Sequence, residues 1–569
     1  MKKNNIVLLL GLFMLSLLYT GCADVLDKKE ISAVSEKDVW NDPSFAEAYL
    51  NKLYRDNIPV WVNNISNGSE EADGTNNRLY GQLTSDGVDN WPYDFIRNIN
   101  ILLENIGTGS IDVQTQNKLK AQALVLRAWR YFTLVRDYGG VPMVMNVQKL
   151  TDDLYVARSK TSECIQLIIK DLDEALEGDA LPWQWTGNDA GRISRAAALA
   201  LKGRILLYYA SPQFTPTSNE QRWTNAYNAN LKAKTDLSAN GYDLYESYEN
   251  LWYNEMNKEA VFVSRYLYPG RINSFGNSCR PVIAGQNGAG LYNHATWEMV
   301  KSYPMITGVP INESSDYDPV YYWRNRDPRF EATIAYNGCY WPLTEKNDGP
   351  YLWTYEGYEK QYATETSFYC RKAVDPTYTK LDAERGGTDW IEIRYAEVLM
   401  NYAEAAAELN KLDEAYTVLK QIRERAGILA GNNGMYGLKT GMDKDAMIQA
   451  IMNERKIEFA YEGKRFWDLR RRRMFASELN GTKRHGLKPM FKPGVTGDVI
   501  QAVAKTNPES ILENYADYFN DNIIEVDKIY TIDFKDNYYF YALPNKHLEA
   551  NSKLEQTQGW NNGTFNPLE

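Results

Sequence analysis

The sequence predicts a mainly α protein in which helical hairpins support a loop-rich, aromatic-rich region. Three observations predict it. Apolar residues recur at three- and four-residue steps through a series of segments, the pattern of amphipathic helices. Those segments fall in pairs, as in "NYAEAAAELNKLDEAYTVLKQIRERAG", where Lys411-Leu412-Asp413 links two runs rich in Ala, Tyr and Leu. Between Pro269 and Asp389 the pattern stops, and Gly, Pro, Asn and aromatic residues take over.

The chain opens on Met1-Lys2-Lys3 and an apolar run from Ile6 to Leu18, closed by Thr20-Gly21. That run is shorter than the roughly 20 residues a membrane-spanning helix needs, so it reads as an export signal. An ordinary secretory signal is one form of it. The other is a lipoprotein signal, with Cys22 lipidated after cleavage behind Gly21. A Gly-Cys at the expected cleavage point favours the lipoprotein form, although Tyr19 stands where a small or branched aliphatic residue is usual. Residues 1–21 are then the signal and 22–40 the lipidated tether.

In the body, "YDFIRNINILLENIG" places Phe95, Ile96, Ile99, Leu102, Leu103 and Ile106 on one face and stops at Gly107. "NKLKAQALVLRAWRYFTLVRDYGG" follows, ending on Gly139-Gly140 with Pro142 beyond. A second pair is "SECIQLIIKDLDEALEG" with "SRAAALALKGRILLYYASP", the latter opening on Ser194 as an N-cap. The third is the pair quoted above, and "KDAMIQAIMNERKIEFAYEGKRFWDLRR" adds more helix. Close contacts at Ala and Gly suggest tetratricopeptide-like hairpins, unevenly spaced. Such hairpins favour a curved scaffold over a deep enzyme cleft. In the insertion only a helix near Trp297 to Tyr303 is expected, and the tail from Met490 reads as irregular with one strand-like run, "NYYFYALP".

Composition narrows the function. A net charge of −11 argues against a nucleic-acid surface. Cys164, Cys279, Cys339 and Cys370 are widely spaced, as are His294, His485 and His547, so neither a disulfide framework nor a metal site is expected, and no cofactor. The 41 Tyr and 15 Trp are the anomaly, because these rings suit partly wet binding surfaces. Most of the tyrosines are expected to fill helix seams. Arg127, Arg130, Arg136 and Asp137 read as an ion-pair lattice. The basic run "EGKRFWDLRRRR" reads as arginines paired with Glu458, Glu462 and Asp468.

Five stretches carry a family resemblance: "LRAWRYFTLVRDYGGVPMV", "RDPRFEATI", "IRYAEVLMNYAEAAAELN", "ERKIEFAYEGKRFWDLRR" and "YALPNKHLEANSKLEQTQGW". In this order behind a lipoprotein signal, they resemble the SusD/RagB family of outer-membrane nutrient-binding lipoproteins. The resemblance implies a SusD-like fold with four degenerate tetratricopeptide-like hairpins. It implies a single body over 41–569, divided as 41–268, 269–389, 390–475 and 476–569. It also implies a glycan ligand, a SusC-type TonB-dependent transporter as partner, and a lipid-anchored place on the outer membrane facing the cell exterior. Asp24 and Asp27 resemble a surface-export tag, although a solvated tether explains them equally well.

A sugar offers C–H groups on one face and hydroxyls at its edge, so its site wants aromatic planes beside amides, carboxylates and guanidinium groups. Two stretches qualify. In the first, the resemblance points to Trp91, with Asp73 and Arg78, and Asn76 is added on its chemistry. The second is the aromatic insertion, with Tyr292, Trp323, Trp341 and Trp353, closed by Arg371 and Tyr395. Trp297 reads as core, and Asp316 and Asp318 as a plain loop in preference to a calcium site. Beside glycan capture stand a peptide-binding or purely protein-binding scaffold and a two-carboxylate glycoside hydrolase.

Overall fold

In the computed structural model, residues 36–359 and 364–569 are described. The leader, Cys22 and most of the tether lie outside them. The principal helices are α1 (Pro43–Asn57), α2 (Tyr93–Asn105), α3 (Val113–Tyr138), α4 (Thr161–Ala175), α5 (Arg195–Ala210), α6 (Glu220–Ala239), α7 (Tyr395–Glu408), α8 (Leu412–Arg425), α9 (Lys444–Glu458) and α10 (Arg465–Arg471). Strand is sparse. Among the described residues it consists of three antiparallel pairs, β1 (Ala260–Ser264) with β4 (Trp390–Arg394), β2 (Ile334–Ala335) with β3 (Tyr369–Cys370), and β5 (His485–Phe491) with β6 (Phe519–Glu525).

The helices start and stop where the local chemistry says. Asp112 caps α3 by accepting the Thr115 N–H (2.9 Å), and Ser194 caps α5 by accepting the Ala197 N–H (3.1 Å). From Leu119 to Tyr138, α3 is buried on nearly every side, the mark of a central helix. It ends at Gly139 (φ 76°), where the tail of the chain closes over the turn. A Cβ on Gly140 would lie 1.9 Å from the Ser159 carbonyl oxygen and 2.6 Å from the Phe565 ring. Gly140→Ala should therefore destabilise the fold by about 1–3 kcal/mol, read as a lower melting temperature.

The helix pairing departs from the expected one by a step. Helix α3 packs chiefly on α4, and α5 packs chiefly on α6, while α7 pairs with α8 as expected. The pairing of α4 with α5 is the weaker contact. Helix α6 itself was not expected. Its buried face is Trp223, Ala226, Tyr227, Asn230, Ala233 and Leu237, a helical spacing carried by small and polar residues. "NYYFYALP" is not a strand. Asp536–Tyr539 is a short 3-10 turn, and Tyr538 to Leu543 is buried in the helical core, so its aromatics serve packing without a ladder.

Apolar residues gather in three clusters. The first holds the helices and Tyr538 to Leu543. The second is built by the insertion around Trp61, Trp252, Trp297, Trp341 and Trp390, and a small third by Trp353, Tyr355, Ile500, Ile511, Tyr515 and Phe519. Trp61 stacks on Phe275 (4.3 Å) and donates its indole N–H to the Thr388 carbonyl (2.8 Å). The insertion has little regular structure. Large rings supply the buried area that helix faces supply elsewhere.

Candidate functional site

The aromatic insertion turns most of its rings inward. Trp341 and Trp353 are each 1% exposed, so neither offers a face to a ligand. Trp323 is partly buried, stacked on Tyr336 (5.6 Å) and edge-on to Tyr515 (4.8 Å). Tyr395 is 3% exposed and donates its hydroxyl to the Lys234 carbonyl (3.2 Å), which makes it a seam residue between α6 and α7. Trp341, Trp353 and Tyr395 are corrected from ligand residues to core, while Trp323 stays partly exposed. An aromatic in irregular chain is drawn inward whenever no helix or sheet face is present to cover the core. Arg371 is kept outside the core. It lines a separate depression with Tyr340, donating to the Tyr340 carbonyl (3.2 Å), with Glu249 at 3.6 Å.

The first stretch falls into three neighbouring arrangements. The Asp73 carboxylate meets His294 Nδ1 at 3.0 Å, next to half-buried Tyr292 on a bridge between Ala72 and Ala295. Asn76 is 8% exposed. Its carbonyl oxygen accepts the backbone N–H of Arg78 (3.1 Å) and its side-chain amide donates to Asn67 (3.1 Å). Arg78 reaches the Tyr541 hydroxyl (3.4 Å) with its guanidinium over the Phe466 ring (4.7 Å). Trp91 is half-buried among Tyr93, Tyr138 and His547, stacked on the last at 5.0 Å. His547 in turn meets Asp89 at 2.8 Å. Asp318 holds its own turn by accepting the Val320 N–H (2.9 Å).

A cleft of about 640 Å³ is touched by the expected residues only through Arg78. This volume lies in the range of sites that hold small molecules. One wall is the end of α1 and the loop after it, with Asn57, Asn64 and Asn67. The opposite wall is α3, which presents Arg130, Thr133 and Arg136 at three-residue steps, hence on one face. Phe466 and Trp467 of α10, Trp390 and Glu392 of β4, and Glu462 complete it. The cleft thus lies where the helical core (Trp129, Tyr208, Phe466) meets the second cluster (Trp390).

Its carboxylates are engaged. Glu392 takes Arg204 and Lys464, Glu462 takes Lys372 (2.6 Å) and Arg394 (2.9 Å), and Asp56 takes Arg55 (3.0 Å). Several of its arginines are not. Arg130 donates to the Asn57 side-chain oxygen (2.8 Å) and the Asp56 carbonyl, and has no ion-pair partner among the described residues. Arg136 lies over Trp467, its guanidinium carbon 3.4 Å from the ring centroid; its buried Nε has no partner, and its guanidinium makes no hydrogen bond among the described residues. Its one ion-pair partner among the described residues is Asp137 at 4.0 Å, and Glu392 lies near enough to act on its charge. The expected lattice on α3 is therefore only half present: Arg127 grips Asp171 with two bonds of 2.8 Å, while Asp137 is taken by Arg470 (3.3 Å). The i, i+3, i+6 spacing of Arg130, Thr133 and Arg136 was a signal for the cleft.

Comparison with known proteins identifies the family. The model of the SusD family matches residues 249–560, more than half of the chain. The chain belongs to the SusD family. Residues 22–207 match a second model, described as "Starch-binding associating with outer membrane", and that description links the family to the outer membrane. A SusD-like protein P38 from Formosa agariphila is 24% identical over 505 residues, covering 82% of this chain and 92% of that protein. A SusD-like protein P2 from the same organism is 28% identical, over 70% of this chain and 74% of its own. Among solved structures, a SusD-like protein from Bacteroides fragilis superposes with a TM-score of 0.74 at 24% identity, over 93% of this chain and 99% of that one. A laminarin-binding SusD-like protein superposes with a TM-score of 0.56 at 20% identity, over 91% and 100%. The mainly helical fold is that of these SusD-like structures.

Proposed function

We propose that this SusD-family chain is a cell-surface lipoprotein, anchored through Cys22, that captures an oligo- or polysaccharide and delivers it to a SusC-type TonB-dependent transporter. The observation that carries the reading is the cleft: a concave site in a SusD fold, edged by asparagines and arginines and floored by half-buried Trp467. Planar amides and guanidinium groups match the hydroxyl edge of a sugar, and an indole matches its C–H face. Laminarin and starch in the descriptions of relatives support the ligand class. The reading is non-catalytic. Glu392 and Glu462 are locked in ion pairs, so neither stands ready as an acid or base.

Calorimetry of the purified protein against a panel of neutral and charged polysaccharides tests it. Saccharide heat that falls at least tenfold in affinity in Trp467→Ala places the ligand in the cleft. Loss in Trp91→Ala instead moves the site to the Trp91–His547 stack. No heat with any saccharide turns against capture, and release of reducing ends turns against the non-catalytic reading.

A further inference from the structure

The charge balance of the cleft goes further than its shape. Six cationic side chains line it, Arg55, Arg78, Arg130, Arg136, Arg204 and Lys464, against the three carboxylates of Asp56, Glu392 and Glu462. Arg55, Arg204 and Lys464 are spent on those carboxylates and on Glu397. Arg78, Arg130 and Arg136 are left over. Arg78 and Arg130 are held in place by neutral oxygens, those of Asn76 and Tyr541 and those of Asn57 and Asp56. Arg136 is pinned by stacking on Trp467, with its donors unused.

An arginine largely removed from water with no carboxylate at hydrogen-bonding distance is costly, and burial lowers the pKa of Arg136 although Asp137 and Glu392 partly offset it. Yet the guanidinium stays protonated at any physiological pH. The fork of donors it presents matches a planar or tetrahedral oxyanion, where two parallel bonds form. A neutral sugar hydroxyl satisfies such donors but leaves the charge uncompensated.

We propose that the cleft takes a saccharide that carries an anionic group, a uronate carboxylate or a sulfate ester, with Arg136 as its principal partner and Arg78 and Arg130 beside it. The inference rests on the glycan-capture reading and adds the chemical class of the glycan. Trp467 then has two tasks, offering ring surface to the sugar and holding Arg136 in place.

The test titrates the full-length protein with matched pairs: oligogalacturonate against its methyl ester, and a sulfated galactan against its desulfated form. The expected result is that one charged ligand binds at least tenfold more tightly than its neutral counterpart, and that this preference shrinks as salt rises. Preference within the first pair identifies a carboxylate, and within the second a sulfate. Arg136→Gln should remove the preference and Arg136→Lys should keep part of it, since lysine retains the charge and loses the fork. The Gln variant should melt no lower than the parent, because it removes a buried charge that no carboxylate meets at hydrogen-bonding distance. The wild-type comparison stands even if that variant does not fold. Equal binding of charged and neutral partners overturns the inference and leaves capture standing. Binding of an acidic peptide with no saccharide bound, or no binding at all, overturns both.

Discussion

Replacing Arg394 by methionine is expected to cost the fold about 3–5 kcal/mol. Arg394 is 1% exposed and donates to three carboxylates: Glu259 (2.6 Å), Glu458 (2.7 Å) and Glu462 (2.9 Å). Each of these is itself shared. Glu458 also takes Arg329 (2.8 Å) and Arg425, Glu259 takes Arg425 (2.7 Å), and Glu462 takes Lys372 (2.6 Å). Removing one arginine leaves buried negative charge short of a partner at three points, and the desolvation already spent is not recovered. Burial alone would raise the Glu458 pKa, but Arg425, Arg394 and Arg329 hold it well below the usual carboxylate range. A carboxylate held below its unfolded pKa stabilises the fold above that value. Its contribution falls away as pH drops from about 4.5, so the lattice is one place where acid weakens the fold. Denaturant melts of Arg394→Met against Asp236→Asn give the scale. Asp236 pairs with Lys232 (2.7 Å) on the exposed side of α6, and its loss should cost no more than about 0.5 kcal/mol. Equal small effects in both variants would show that the lattice contributes little to the stability of the fold.

Glu71→Gln should abolish a loss of stability between pH 5 and 8. Glu71 is 1% exposed, and burial, together with the neighbouring Glu70 carboxylate, pushes it up to about 7. Its oxygens meet the Tyr461 N–H (3.3 Å) and the Ser69 hydroxyl (3.4 Å), with no cation of its own. Glu70 holds the arginine instead, Arg465 at 2.6 Å. The folded state then keeps a proton on Glu71 that the unfolded chain releases near pH 4.5. Stability from this group is present below pH 4.5 and is lost as pH rises through 7. Between pH 5 and 8 the loss amounts to about 2.5 kcal/mol. Melting temperatures of the Gln variant across that range should lack this decline and exceed the parent at pH 8. A parallel decline in both proteins would mean that Glu71 is ionised throughout.

The family stretches were legible because they carry the packing chemistry of the fold. "ERKIEFAYEGKRFWDLRR" supplies Glu454, Glu458, Glu462, Asp468 and Arg471, all buried in ion pairs. Helix periodicity gave α2, α3 and α7 directly. It missed α6, whose buried face is written in Ala, Asn and Tyr, and no local pattern states that α3 packs on α4. The site was less legible for a related reason. A tryptophan in a helix declares its face by spacing, but Trp341 and Trp353 sit in irregular chain, where inward and outward positions look alike. Both proved to be core.

By itself the sequence determined a mainly α chain of the SusD family, with arginines in excess along α3. Those are local and compositional facts, set by side-chain period and residue type. Only the tertiary structure decided which arginines are satisfied. Arg127 meets Asp171 from α4, a residue 44 positions away, whereas Arg136, nine positions further along α3, meets the Trp467 ring and no carboxylate at bonding distance. An ion pair depends on where two chain segments meet in space, and so does a binding cleft.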